Sequence, residues 1–292
     1  MKNAIRYFYN IYATDIIKSN DIYKIKSDQD NYILVSYNYD INVLNYIYKF
    51  LTTRNFYCHE IIFNKDSEMI TNIDNNNYIL LKVYIDNKRI ELNDIINSSI
   101  LLESGSKCNW YNLWCKKLDY YEYQMSQFKK KYPLLYQSFS YYAGLSENAI
   151  SYITTFRFKK INLYLNHNRI HKNYNTVDFY NPVNMILDVK VRDVCEFFKN
   201  QFFYVKNPIE DVKYYIDNVN LTNDEAILFF ARMLYPSYYF DIYDLIIQEK
   251  VEEAKINIIT KKVSSYEKFL QEVFYSVSYK YKIPEIEWLI KT

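Results

Sequence analysis

The chain has 292 residues, half of them apolar and 19% aromatic, which is enough for one large buried core or two modest ones and excludes a disordered chain. Basic and acidic residues are interspersed and sum to a net charge of +2, so the electrostatic footprint of a nucleic-acid-binding protein is missing and no nucleic-acid partner is expected. The longest apolar runs, such as residues 226–234, carry a charge and are too short to span a bilayer, and the N-terminal text lacks the apolar core of a signal sequence, so the expectation is an intracellular, cytoplasmic protein without membrane insertion.

Taken in order, residues 21–38 alternate and are rich in Ile, Tyr and Val, which predicts two antiparallel strands joined by a polar turn at 27–31. Residues 41–55 place Val43, Leu44, Ile47, Phe50 and Leu51 on one helical face, with Asp40 as N-cap. Three short strand-like runs follow at 61–63, 69–71 and 78–85, separated by NKDSE and by the turn-prone DNNN at 74–77. The order is ββαβββ. After a polar linker at about 86–106, helix-forming aromatic text dominates at 110–131 and 134–156, with Pro133 as a start signal. Thr222 and Glu225 form a capping box before the apolar run AILFFARML, and Asp224 beside Glu225, like Glu252 and Glu253, reads as helix-end or solvated charge.

The 35 tyrosines accompany Asn, Ile and Lys, all favoured by AT-rich codons, so tyrosine richness alone is read as compositional. The four cysteines, Cys58, Cys108, Cys115 and Cys195, show no CxxC pairing and are expected to be reduced and packed. His167 with His171 and Cys58 with His59 suggest zinc weakly, because no Glu follows the first His and the two pairs fall in different halves of the chain. A Ser-His-Asp hydrolase is excluded by the absence of G-x-S-x-G.

The stretch LYLNHNRIHKNYNTVDFYNPVNMILDVKVRDVCEFFK, residues 163–199, resembles the core of aminoglycoside-phosphotransferase-like and spore-coat kinase-like proteins, in which a strand leads to HGD, an Asn, an I-D-F-D strand and a D-L-A helix. YILV resembles that family's Y-A-L-K strand, LTTRNF its L-x-x-x-G-F helix exit and NYILLKVY its last small-lobe strand, and WYNLWCKKLDYYEYQ, FSYYAGLSENAISYI and LTNDEAILFFARMLYPSYYFDIYDLI resemble its large-lobe helices. The resemblance covers nearly the whole chain and no motif is intact. It implies an α+β, protein-kinase-like bilobal fold: a small, five-stranded antiparallel β lobe with one helix at 1–86, and a larger, mainly helical lobe at 87–292.

Phosphoryl transfer needs few parts, and the resemblance implies where each should lie. The phosphate-binding Lys falls on Val35, the next helix offers no Glu, and Lys26 is the nearby cation. His167 keeps its place, but Arg169 stands where the catalytic Asp is expected, and an Arg cannot accept a proton. Tyr174 stands at the metal-binding Asn position, between Asn173 and Asn175, while Asp178 in VDF keeps the I-D-F-D carboxylate. His167, Asp188 and Asp193 are the scaffold residues that persist. The implied vestigial cleft is thus Val35, His167, Arg169, Asn173, Asn175, Asp178 and Asp188, with Asp193 as a brace and no catalytic residue. The sign change at Arg169 further suggests an ion pair with Asp178 that neutralises the last metal ligand.

The expected function is a catalytically inactive, kinase-like binding or scaffold module, a pseudokinase with an unidentified protein partner and no cofactor, associated by resemblance with the spore coat on its mother-cell side. The alternative is an ATP- and Mg2+-dependent small-molecule phosphotransferase in which Asp178, with Asp188, holds metal. A third is a structural, tyrosine-cross-linked protein.

Overall fold

A computed structural model describes residues 1–19, 22–157, 159–171 and 173–290. The chain divides into two compact units: residues 1–90 with 173–186, and residues 91–172 with 187–292.

The first unit is built on a six-stranded antiparallel sheet. It begins with helix α1 (Lys2–Tyr9), followed by β1 (Asp15–Ser19), β2 (Ile22–Lys26), β3 (Asn31–Ser36), helix α2 (Ile41–Thr53), β4 (Glu60–Ile62), β5 (Thr71–Ile73) and β6 (Asn76–Val83). The strand order is β1-β2-β3-β6-β4, with β5 also on β6. The run YILV of β3 is apolar without alternation, as a central strand buried on both faces must be. Ile33 and Val35 point to one face, joined by Ile79, Leu81 and Leu44 of α2. Tyr32 and Leu34 point to the other, where Ile5 of α1 meets Ile25 and Leu80.

Most sequence expectations hold here. The β2–β3 hairpin closes through Ser27, whose hydroxyl accepts from the Asp30 N–H at 3.1 Å. The part of the expected hairpin at Asp21 lies outside the described residues. Asp40 caps α2 by accepting from the Asn42 N–H at 2.9 Å. The DNNN turn is shorter than expected: only Asp74 and Asn75 turn, with φ of 51° and 61°, the conformation a two-residue hairpin requires. Three expectations are corrected. Residues 1–86 carry a second helix, because α1 covers the other face of the sheet, and β1 makes six strands where five were expected. Val43, assigned to the buried face of α2, is 43% exposed.

The second unit contains helix α3 (Leu92–Ser98), β7 (Leu101–Lys107), α4 (Trp110–Phe128), α5 (Pro133–Tyr152), β8 (Lys160–His167), β9 (Met185–Val189), along which the chain re-enters this unit, α6 (Arg192–Tyr204), α7 (Ile209–Asn218), α8 (Asn223–Leu234), α9 (Ser237–Ile247) and α10 (Val263–Ser278). The expected linker at 86–106 is therefore largely structured. Asp94 accepts from the Glu91 N–H at 2.8 Å at the start of α3, and β7 pairs with β8. The core is aromatic: Phe202 stacks on Phe269 at 5.0 Å and Tyr215 on Phe229 at 5.7 Å. Thr222 and Glu225 form the expected capping box of α8. The four cysteines are free. Among the described residues no group of His, Cys, Asp and Glu could hold a metal ion, and no helix is long and apolar enough to cross a membrane.

Candidate functional site

The sequence-derived site residues divide between the two units. Val35, Asn173, Asn175 and Asp178 belong to the first, and His167, Arg169, Asp188 and Asp193 to the second.

In the first unit a cavity of about 310 Å3 opens beside β2. Side chains alternate along a strand, so Ile22, Lys24 and Lys26 share one face of β2. Across from them stand Val35, Ile33 and Asn31 respectively. Ile17, Ile22, Ile33, Val83, Ile85 and Val177 form apolar walls, and Asp15, Lys24, Lys26, Asn87, Asn175 and Asp178 supply polar groups. An apolar cavity with a few polar groups, at the low end of ligand-pocket volumes, suits a small ligand. Lys24 was missed in the sequence, although the alternation that selects Lys26 selects it equally.

Val35 is corrected: it does not line this cavity. It sits one row deeper in the sheet, paired with Ile22 on one side and Ile79 on the other, and packs in the cluster that contains Leu44. A cation at that position would be desolvated among apolar side chains. Val35, to which the resemblance assigned the phosphate-binding Lys position, is a core residue.

Asp178 is corrected in its setting. VDF forms the helical turn Thr176–Phe179, where a strand was expected, because the Asn175 side chain caps it by accepting from the Asp178 N–H at 3.0 Å. The segment is sewn to residues 86–90: the Thr176 N–H donates to the Lys88 carbonyl at 2.8 Å and the Ile90 N–H to the Tyr174 carbonyl at 3.3 Å. His59, fully buried, holds it from the other side, with its N–H on the Tyr180 carbonyl at 2.9 Å and Nε2 on the Val177 carbonyl at 3.0 Å. Sequence reasoning considered His59 only as a metal ligand; the structure makes it a latch. Tyr174 is buried and Asn173 is exposed. Asp178 faces the cavity, which the carboxylate of Asp15 also lines from β1, and no group of three or more His, Cys, Asp and Glu that could hold a metal forms among the described residues.

In the second unit, Asp193 accepts from the His167 N–H at 3.0 and 3.1 Å and meets His167 Nδ1 at 2.6 Å. Asn166 completes the bracket, accepting from the Asp193 N–H at 3.2 Å and donating to the Asp188 carbonyl at 3.0 Å. Both oxygens of Asp188 are committed: Oδ1 accepts from Trp110 Nε1 and from the Val189 N–H, each at 2.7 Å, and Oδ2 from Arg192 Nη1 at 2.6 Å. Both oxygens are thus engaged within this unit, Oδ2 by a guanidinium that would compete with the metal that the alternative reading gave it. The sequence suggested Asp178 as the partner of Arg169. Arg169 pairs within its own unit with Asp241 of α9, a downstream residue that no local pattern could have nominated.

A family model described as "Spore coat putative kinase YutH" matches residues 2–273. The endospore coat-associated protein YutH of Bacillus subtilis (strain 168) is 24% identical over 217 residues, 64% of this chain and 63% of that protein, so the match spans less than two thirds of the relative. An aminoglycoside phosphotransferase from Alicyclobacillus acidocaldarius superposes with a TM-score of 0.65 at 7% identity, over 96% of this chain and 97% of that one. Spectinomycin phosphotransferase in an AMP-bound complex gives 0.60 at 12% identity, over 94% and 96%. At such identities the structural likeness speaks for the fold alone: α+β and aminoglycoside-phosphotransferase-like, with a small antiparallel β unit and a larger helical one. With the family model matching nearly the whole length, the chain belongs to the spore-coat YutH family of kinase-like proteins.

Proposed function

We propose that this chain is a non-catalytic member of its kinase-like family, a spore-coat-associated binding or scaffold protein that works through a protein partner. The observation that supports this reading is the apolar row Ile22–Val35–Ile79, packed hydrocarbon at the residue to which the resemblance assigns the phosphate-binding cation. Arg169 at the catalytic-base position supports it, since a guanidinium bound to Asp241 can neither accept a proton nor ligate a cation. The coat association rests on the name of the Bacillus subtilis relative.

One observation favours a rival reading: Lys24, Lys26 and Asp178 line the same cavity, which an ATP-dependent phosphotransferase with displaced groups would require. Thermal unfolding of the purified chain with ATP, with and without magnesium, separates the two, because a ligand that binds the folded state raises its stability by mass action. A non-catalytic protein gives no magnesium-dependent shift at millimolar nucleotide. A magnesium-dependent rise of several degrees would replace this reading with the enzymatic one.

A further inference from the structure

Helix α2 carries more apolar surface than the sheet covers. Leu44, Ile47 and Leu51 are its buried residues, and Leu44 packs in the cluster of Ile33, Val35 and Ile79. A helix that packs on one partner needs one such stripe. Beside it runs a second: Val43, Tyr46 and Phe50 follow one another at intervals of three and four residues and so share one side of the helix. Val43 and Tyr46 are 43% and 45% exposed, Phe50 is half-buried, and Tyr39, just before the helix, is 68% exposed. Single exposed apolar residues are ordinary on a monomer, whereas a row of them along one helix has the form of an interaction surface.

The charges at the two ends of this stripe say what fits it. At the start, Asp40 is exposed and caps the helix through Oδ1, which accepts from the Asn42 N–H at 2.9 Å. At the end, Arg54 lays its guanidinium over the Phe50 ring at 4.7 Å, which puts the cation on the stripe itself. Asp40 and Arg54 stand equally far along the chain from Ile47, and Val43 and Phe50 straddle Tyr46. A stripe with an anion at one end, a cation at the other and apolar side chains between them is complementary to its own antiparallel copy, which also opposes the two helix dipoles.

We propose that α2 is the self-association surface of this protein, pairing with α2 of a second copy about a two-fold axis beside Tyr46. Val43 of each copy then packs on the partner's Phe50, the two Tyr46 rings meet, and each Asp40 faces the partner's Arg54. Two helices of 13 residues, each about 20 Å long, bury an area at the small end of specific interfaces, so the dimer forms and dissociates with concentration in the micromolar range. The inference rests neither on the cavity beside β2 nor on the loss of catalysis.

The test is sedimentation velocity of the full chain from low to high micromolar concentration, where the wild type should pass from one chain mass toward two. Tyr46→Glu should weaken association about tenfold or more, because the two-fold sets the two new carboxylates against each other. Arg54→Glu should weaken it by opposing Asp40, and adding Asp40→Asn, which keeps the helix cap, should recover part of the loss. Cross-linking gives a reading that does not depend on the glutamate variants folding. Under mild oxidation Tyr46→Cys, beside the axis, should form a disulfide-linked dimer, while Asn45→Cys, exposed on another side of the helix, and the wild type with its own cysteines should not. A wild type that stays monomeric throughout would overturn the proposal. So would a dimer that survives Tyr46→Glu unweakened, or equal cross-linking of the two cysteine variants, since either places the contact elsewhere. Because no nucleotide enters the measurement, its failure stays distinct from any result with ATP.

Discussion

The Asp193 carboxylate holds His167 by three contacts, two from the backbone N–H at 3.0 and 3.1 Å and one to Nδ1 at 2.6 Å, and both residues are buried. The bracket fixes the end of β8 to the start of α6, so its loss exposes no solvent route for the stranded N–H. Asp193→Ala should lower unfolding stability by about 3 kcal/mol, the cost of breaking a buried charged contact. Asp193→Asn, which keeps one acceptor oxygen, should lose about half of that. Denaturant unfolding of the pair checks this; wild-type stability in the alanine variant would mean that the bracket is dispensable.

Val35 is the position where restoring the family residue should fail. Val35→Lys puts an ammonium between Ile22 and Ile79, against Leu44, and should lower stability by about 2 to 4 kcal/mol without conferring ATP binding. Should the variant instead acquire magnesium-dependent stabilisation by ATP, the site would be one substitution from function and the apolar row would not be its obstacle.

What was legible in the sequence is what local chemistry decides. Asp40 before α2 and the Thr222–Glu225 box before α8 are read from a few adjacent residues, and both caps form. The misses are non-local. β7 becomes a strand only because β8 lies beside it, and α1 is required only because the YILV strand has a second face to cover. Asp178 is the instructive case: the cap signal Asn175-x-x-Asp178 was present, but the likeness of VDF to a strand motif outweighed it. Arg169 shows the limit for sites, since its charge could be read and its partner, on a distant helix, could not.

His59 should make stability pH-dependent. Its Nε2–H donates to the Val177 carbonyl, so Nδ1 is the unprotonated nitrogen, and it has no partner. Burial holds the pKa below 6.5, although the Val177 bond works in the opposite sense. The unfolded chain therefore takes up a proton near 6.5 while the folded one does not, and stability is lost as pH falls from that value toward the folded pKa. The slope can reach about 1.4 kcal/mol per pH unit. His59→Asn, which keeps an N–H donor and cannot titrate, should remove this component in melts between neutral and mildly acidic pH; an unchanged slope would place the pH dependence elsewhere.

Glu196 is the carboxylate whose removal should cost most. Its Oε1 meets Lys199 Nζ at 2.6 Å and Arg232 Nε at 2.8 Å, and the Ser237 hydroxyl donates to Oε2 at 2.9 Å. Burial would push its pKa up, but Lys199 and Arg232 pull it well below the usual carboxylate range, so it stays charged throughout the physiological range. Glu196→Gln leaves two buried cations facing each other and should cost about 3 to 5 kcal/mol. Lys199→Met leaves the carboxylate with Arg232 and Ser237, and frees the Arg232 and Tyr235 carbonyls and the Ser237 hydroxyl oxygen, which Lys199 had satisfied at 3.0, 3.3 and 2.6 Å. It should therefore cost less. The double variant removes one of the two cations that the glutamine strands, so its loss should fall short of the sum of the single losses. Additivity in that cycle would show that Glu196 and Lys199 stabilise the helices independently, against their 2.6 Å contact.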